Sequence, residues 1–194
     1  MDVKNHCLGQ GYGRGKPILR YNGFTLLELL ITHAVISILV ATAAPSLSAI
    51  VAYERSVILT NELAGALAFA RAEAVTKNST IITCQSSNGS KCNRSENWHN
   101  GWIIFNDKNN NIQRENDEPL LKVYAAANNG TEVIFNGAWN RNHYMRYKPG
   151  GEAHPNGSFT ICNPNIGVGK ALIMTQSGRL RLSKLKTNGS KITC

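Results

Sequence analysis

The stretch "GFTLLELLITHAVISILVATAAPSLSAIV", residues 23–51, decides how the rest of this sequence reads. From Phe24 to Val51 it is long enough to span a bilayer, since about 20 apolar residues suffice. Lys4, Arg14, Lys16 and Arg20 precede it against Asp2 alone, a net +3 over residues 1–23. A hydropathy reading would stop at a membrane anchor with a positive flank. Two details resist that. Glu28 sits near the start of the run, where a lone carboxylate costs roughly 3 kcal/mol in lipid. Gly23 stands directly before the run, which puts a cleavage site ahead of the hydrophobic stretch, whereas a secretory signal is cut behind it.

Gly23, Phe24, Glu28, the unbroken apolar helix and Pro45 within it resemble the prepilin signal of type IV pilins and type II secretion pseudopilins. The resemblance implies that a prepilin peptidase cuts between Gly23 and Phe24 and methylates the new amine, removing Cys7 with the leader. It implies that the apolar helix sits first in the inner membrane and later in a filament core. Glu28 would then pair with the N-terminal amine of a neighbouring subunit, since the two charges together cost less in an apolar core than either alone. Pro45 frees one backbone carbonyl and bends the helix. His33 departs from the apolar residue usual there, and a hydrogen bond to a backbone carbonyl would accommodate it.

Beyond the span, Val57, Leu59, Leu63, Ala66, Leu67, Ala70 and Val75 recur at helical spacing with charges interleaved. One helix over 24–77 would be roughly 80 Å long at 1.5 Å per residue. Its second half is amphipathic and should pack on a globular head. After Asn78 the pattern changes to short β-rich runs broken by Asn, Gly and Pro: "STIITC", "GWIIF", "PLLKVY", "TEVIF", "GSFTIC", "KALIMTQ" and "GRLRLSKL". The fold expected is α+β: a leader (1–23), a long N-terminal helix (24–77, with a transmembrane half at about 24–51) and an antiparallel β-sheet head (78–194). Trp98, Trp102, Trp139 and the phenylalanines are its core candidates.

Chemistry that would mark an enzyme is missing from the motifs. There is no G-x-S-x-G, Walker loop or H-E-x-x-H, and His99, His143 and His154 have no ligand or catalytic partner at suggestive spacing. No cofactor or metal is expected. "DKNNNIQRENDE" places Asp107, Asn109, Asn111 and Glu118 at calcium-loop positions 1, 3, 5 and 12. Ile112 replaces the template's glycine and the flanks read as strands, so an Asn-rich hairpin loop is the better reading. Cys84, Cys92, Cys162 and Cys194 form an even set without C-x-x-C, which favours disulfides over zinc and a compartment outside the cytoplasm. Of the three pairings, Cys84–Cys92 closes a short loop and Cys162–Cys194 ties down the C-terminus.

The charge is unevenly placed. Residues 24–138 hold eight basic and ten acidic residues, whereas 139–194 hold nine basic residues against Glu152 alone. An excess confined to one end suits an anionic partner. Within it stands "GRLRLSKLK", residues 178–186, where strand alternation sends Arg179 and Arg181 from one face. "QSGR" before it reads as a tight turn with Gly178 supplying the unusual backbone angle.

"GWIIFNDKNNN", the β-rich head and the late "SGR" resemble the GspH/FimT group of minor pilins and pseudopilins. Some FimT members bind DNA for natural transformation through a C-terminal Gly-Arg-x-Arg motif. Carried onto this sequence, the motif is Gly178, Arg179, Leu180 and Arg181. Arginine forks match phosphate oxygens bidentately. Lys170, Lys184, Lys186 and Lys191 would extend the surface, as would Arg146 and Lys148 from earlier in the head. Nothing resembles a helix for the major groove, so the expected DNA contact is sequence-independent. Three functions stay open: a DNA-receptor minor pilin, a structural pseudopilin of a type II secretion system, and a minor pilin that only primes assembly. The basic tail favours the first. In the pilus readings the partners are other major and minor pilins, with the head in the periplasm before assembly into an extracellular filament; in the secretion reading the head binds other pseudopilins.

Overall fold

The computed structural model describes residues 23–94, 97–127, 130–186, 189–192 and 194, without the side chains of 43–46, 140 and 168. The leader up to residue 22, with Cys7, lies outside the described residues, as does the Pro45 side chain. The chain divides into a unit ending at Thr42 and a second unit, Ala43–Cys194. Helical residues run Leu26–Thr76 (α1) and are shared between the two.

In the first unit, Thr25 starts the helix. Its Oγ1 accepts the Glu28 N–H at 3.2 Å and its carbonyl accepts the Leu29 N–H at 3.2 Å, so Thr25 is the N-cap and Glu28 the acidic residue of the first turn. Phe24, Leu27, Ile31, Val35 and Leu39 are all exposed. A helix segment apolar all round has to be covered by lipid or by other chains. Its polar residues turn back on their own backbone: Thr32 Oγ1 donates to Leu29 O at 2.9 Å and Ser37 Oγ to His33 O at 2.7 Å. His33 does the same. Its Nδ1 lies 2.9 Å from Leu29 O, and a carbonyl only accepts, so the ring donates from Nδ1 as the sequence suggested. Among the described residues no single helix is long and apolar enough to cross a membrane; Leu26–Thr42 and Leu47–Thr76 pass that test only together, by length and composition.

In the second unit, Leu59, Leu63, Ala66, Leu67, Ala70 and Ala74 form the buried stripe of α1. Val75, expected on that stripe, is 53% exposed. The helix stops at Asn78, which adopts φ +47° while Ser79 N–H returns to Ala74 O and Asn78 N–H to Val75 O. That is a Schellman ending, with asparagine tolerating the left-handed turn.

Among the described residues nine strands follow: β1 Ile81–Gln85, β2 Trp102–Asn106, β3 Leu120–Tyr124, β4 Glu132–Gly137, β5 Tyr144–Tyr147, β6 Ala153–His154, β7 Gly157–Asn163, β8 Val168–Met174 and β9 Leu180–Ser183. They make a five-stranded sheet, β3-β2-β1-β5-β6, and a four-stranded sheet, β4-β7-β8-β9, with antiparallel pairing throughout. The seven β-rich runs of the sequence are all strands; β5 and β6 are additional, too short to show period-two alternation.

The main core joins the buried stripe of α1 to both sheets through Trp98, Trp102, Ile104, Phe135, Phe159 and Leu172. Trp98 meets Phe159 edge-on at 4.9 Å, and Phe135 stacks on Phe159 at 4.3 Å, an aromatic cluster whose contacts exceed its area burial. Trp139 corrects the core expectation. It is 72% exposed, because the chain leaves β4 at Gly137 and enters a short 3-10 turn, Ala138–Asn140, with Trp139 at φ 58°. Cys84–Cys92 and Cys162–Cys194 are disulfides. The first lies in a small cluster with Ile82, Ile103, Phe105 and Tyr144; in the second, Cys162 packs with Ala171, Ile173 and Ile192.

Candidate functional site

The basic C-terminal surface is built on the β8–β9 hairpin. Thr175 N–H donates to Arg179 O at 3.1 Å, and Gly178 N–H returns to Thr175 O at 2.9 Å. Three residues therefore bridge the strands, with Gly178 at φ +75° as the left-handed residue such a loop needs. The strand proper begins at Leu180, and Arg179 closes the turn. Arg181 stands across from Ile173 and Ser183 across from Ala171, on the face that carries Cys162 and Ile192; Leu180 packs on the main core from the other side.

Gly178 also answers to the helix. Arg71 Nε donates to Gly151 O at 3.0 Å and Arg71 Nη2 to Ser177 O at 2.9 Å, which fastens the Lys148–Glu152 turn and the β8–β9 turn to one guanidinium. A Cβ on Gly178 would strike Gly151 O and come within 2.8 Å of Arg71 Nε. The glycine of the Gly-Arg-x-Arg motif is buried and serves this packing, while Arg179 and Arg181 are exposed. Beside them runs a groove of about 610 Å³ lined by Ala68, Ala72, Val75, Gly178, Arg179 and Leu180, among others.

The C-terminal segment folds back over the same sheet. Leu185 bridges to Lys191, Lys186 N–H donates to Ser190 O at 2.8 Å, and Ile192 is buried against the face bearing Cys162. The Cys162–Cys194 disulfide closes the arrangement. Lys184, Lys186 and Lys191 are thereby exposed beyond the Ser183 end of β9, with Arg181 between them and the turn that carries Arg179. Lys148 is exposed on the turn that Arg71 fastens to the hairpin, at the Arg179 end of β9.

Two residues of the expected surface lie elsewhere. Lys170 alternates with Leu172 and Met174 on the helix side of β8, and its Nζ sits 4.7 Å from the Tyr53 ring centroid. Arg146 lies half-buried on β5 of the other sheet, paired across from Ile82 and His154 and 6.0 Å from the Tyr144 ring. Arg141 was not singled out by the sequence; it is exposed with its guanidinium 5.9 Å from the Trp139 ring. Its only sequence signal was membership of the acid-poor segment.

Electrostatically the surface is unspent. Among the described residues the one ion pair is Lys77–Glu73, so none of the nine basic residues of 139–194 forms one there, and Arg146, on the other sheet, is the one that Asp107 feels. Arg179 and Arg181 have no side-chain hydrogen bond among the described residues. The Asp107–Glu118 loop behaves oppositely. Asp107 accepts from Asn111 and Ile112 N–H, and Glu118 accepts from Lys108 and Glu115 N–H. Burial pushes the Asp107 carboxyl above its ordinary value, against the lowering effect of those N–H groups. Among the described residues no group of three or more His, Cys, Asp or Glu side chains is placed to hold a metal.

The model of the family described as Type II transport protein GspH matches residues 59–178, and the prokaryotic N-terminal methylation motif matches residues 18–44. The chain belongs to the GspH family. It is thus a minor pilin or pseudopilin of the type IV pilin superfamily, an α+β filament subunit. No curated protein matches the chain in sequence. Among solved structures it is similar to the type IV minor pilin FimU of Pseudomonas aeruginosa strain PAO1, at 19% identity over 63% of this chain and 88% of that one, with a TM-score of 0.44. A second crystal form of FimU gives 16%, 75%, 92% and 0.46. The minor pseudopilin EpsH of the Vibrio cholerae Type 2 Secretion System gives 10%, 66%, 96% and 0.48. The GspH match ends at Gly178, so the strand bearing Arg181 and the lysines after it lie beyond it.

Proposed function

We propose that this GspH-family chain is a minor pilin that binds extracellular DNA through its C-terminal basic surface and brings it toward the cell as the filament retracts, supporting natural transformation. The observation that carries the reading is the exposed Arg179 and Arg181 on a hairpin fixed by Arg71, with Lys184, Lys186 and Lys191 exposed further along the chain and no acidic partner among the described residues. Guanidinium forks suit phosphate oxygens, and an unneutralised basic surface gains affinity by counterion release. Contact is with the phosphate backbone and independent of base sequence. A prepilin peptidase cuts after Gly23, and residues 24–51 anchor the chain once in the inner membrane, with its head in the periplasm, until Glu28 pairs with a neighbouring subunit's amine on entry into the filament.

A structural pseudopilin is the second reading, and one observation favours it: Gly178 is accounted for by packing against Arg71 and Gly151 without any ligand. Mobility shift of a duplex by the full chain in detergent separates the two. The wild type should shift DNA at low salt, Arg179→Ala/Arg181→Ala should not, and Arg179→Lys/Arg181→Lys should fall between, keeping charge but losing the fork. Equal binding by wild type and alanine variant would leave the structural reading standing.

A further inference from the structure

Trp139 is an exposed aromatic held in place by its surroundings. It is 72% exposed in a left-handed conformation, φ 58° and ψ 35°, that a bulky side chain rarely adopts. The loop carrying it is fixed at both ends. Gly137 N–H donates to Asn142 Oδ1 at 3.0 Å, the buried Trp98 indole donates to Asn142 O at 2.8 Å, and Ala138 N–H donates to Asn156 O at 2.9 Å. A strained exposed residue on a fixed loop points to use of the side chain itself.

The register shows what lies near it. Gly137 pairs with Gly157, Gly157 with Met174 and Met174 with Leu180, so the β4 exit and the β9 entry share one end of the four-stranded sheet. Three strand spacings make that separation about 14 Å. Trp139 stands just beyond Gly137, and Arg179 just before Leu180. Arg141 lies against the ring, 5.9 Å from guanidinium carbon to centroid. An aromatic face with an adjoining cation, in line with a basic strand, is the combination that binds single-stranded nucleic acid: bases stack on the ring while cations follow the phosphates.

We infer that Trp139 is a stacking platform for an unpaired nucleobase, with Arg141 as its phosphate contact, giving the basic surface a preference for single-stranded over duplex DNA. This rests on the DNA-binding reading above and adds to it the form of DNA preferred. An apolar protein surface is a weaker match, because the ring's immediate neighbour is a cation; an acidic one would pair with that cation but supplies no planar partner for the ring.

The test uses the full chain in detergent with three probes: a 20-nucleotide oligothymidylate, a 20-base-pair duplex and inorganic polyphosphate, which has charge without bases. Trp98 and Trp102 are fully buried, so the solvent-accessible tryptophan emission belongs to Trp139. The oligothymidylate should quench that emission and polyphosphate should not. Trp139→Ala should weaken oligothymidylate binding about tenfold while changing duplex and polyphosphate binding less than about twofold, and Trp139→Phe should retain most of the single-strand affinity. Unquenched binding, or undiminished oligothymidylate affinity in Trp139→Ala, would overturn this inference and leave duplex binding intact. Normal DNA binding with lost filament incorporation would assign the ring to subunit packing and overturn it likewise. If the wild type binds none of the DNA probes, the reading beneath it fails as well.

Discussion

Two charged segments of the second unit show what distinguishes a structural cluster from a surface with charge to spare. The Asp107–Glu118 loop and the Arg179–Lys191 tail are both dense in ionisable groups and both adjoin strands. In the loop, the buried carboxylates of Asp107 and Glu118 accept four backbone N–H groups, and Asn109 and Asn111 both donate to the Glu115 carboxylate. Even the left-handed turn at Ile112, φ +66°, is held by its N–H bond to Asp107. In the tail the cations stand exposed and unneutralised. Charge density is the same kind of signal in both sequences. The difference is whether the fold itself consumes the charges.

That comparison breaks first at the loop. Glu118→Ala removes two charge-assisted hydrogen bonds from a buried site and should cost about 3 kcal/mol or more. Urea unfolding measures it, and DNA affinity of the folded protein should be unchanged. A loss below about 1 kcal/mol would mean the loop's charges are not structural after all. A smaller effect sharpens the tail. Gly178→Ala forces a left-handed alanine toward Gly151 O and Arg71, so it should destabilise by about 2 kcal/mol. Arg179→Ala/Arg181→Ala should stay within about 0.5 kcal/mol of wild type. Equal stability of all three would deny the glycine its packing role.

The smallest effect is a pH dependence in the neighbouring sheet. Burial, with Arg94 nearby, pushes His143 below its ordinary value. The unfolded chain then takes up the proton first. The stabilisation this histidine confers is present above the ordinary value and lost as pH falls through the folded one. His143→Gln should flatten stability against pH in that window; an unchanged profile would assign the dependence elsewhere.

Much of this was legible in the residues. The prepilin-like start was legible as a family resemblance, and the amphipathic second half of the helix, seven strands, the "QSGR" turn and the two disulfides follow from periodicity, turn chemistry and cysteine placement. What escaped has no local signal. Arg71 reaches Gly151 and Ser177, 80 and 106 residues away, and its partners are carbonyls that any residue supplies. Lys170 looked like part of the basic surface until strand alternation put it beside Tyr53. Trp139 read as core by composition, and only the backbone turn after Gly137 keeps it out. The family match ends where the basic strand starts, so the tail's role rests on its own chemistry.

The central claim is that the tail's charges are spent on phosphate. The most direct measurement is duplex affinity of the full chain against salt concentration, for wild type and Arg179→Ala/Arg181→Ala. Each phosphate contact contributes about −0.9 to the slope of log affinity against log salt, so the double variant should bind more weakly with a slope flatter by up to about two units. A wild type that does not bind at low salt, or a variant with the same affinity and slope, would contradict it.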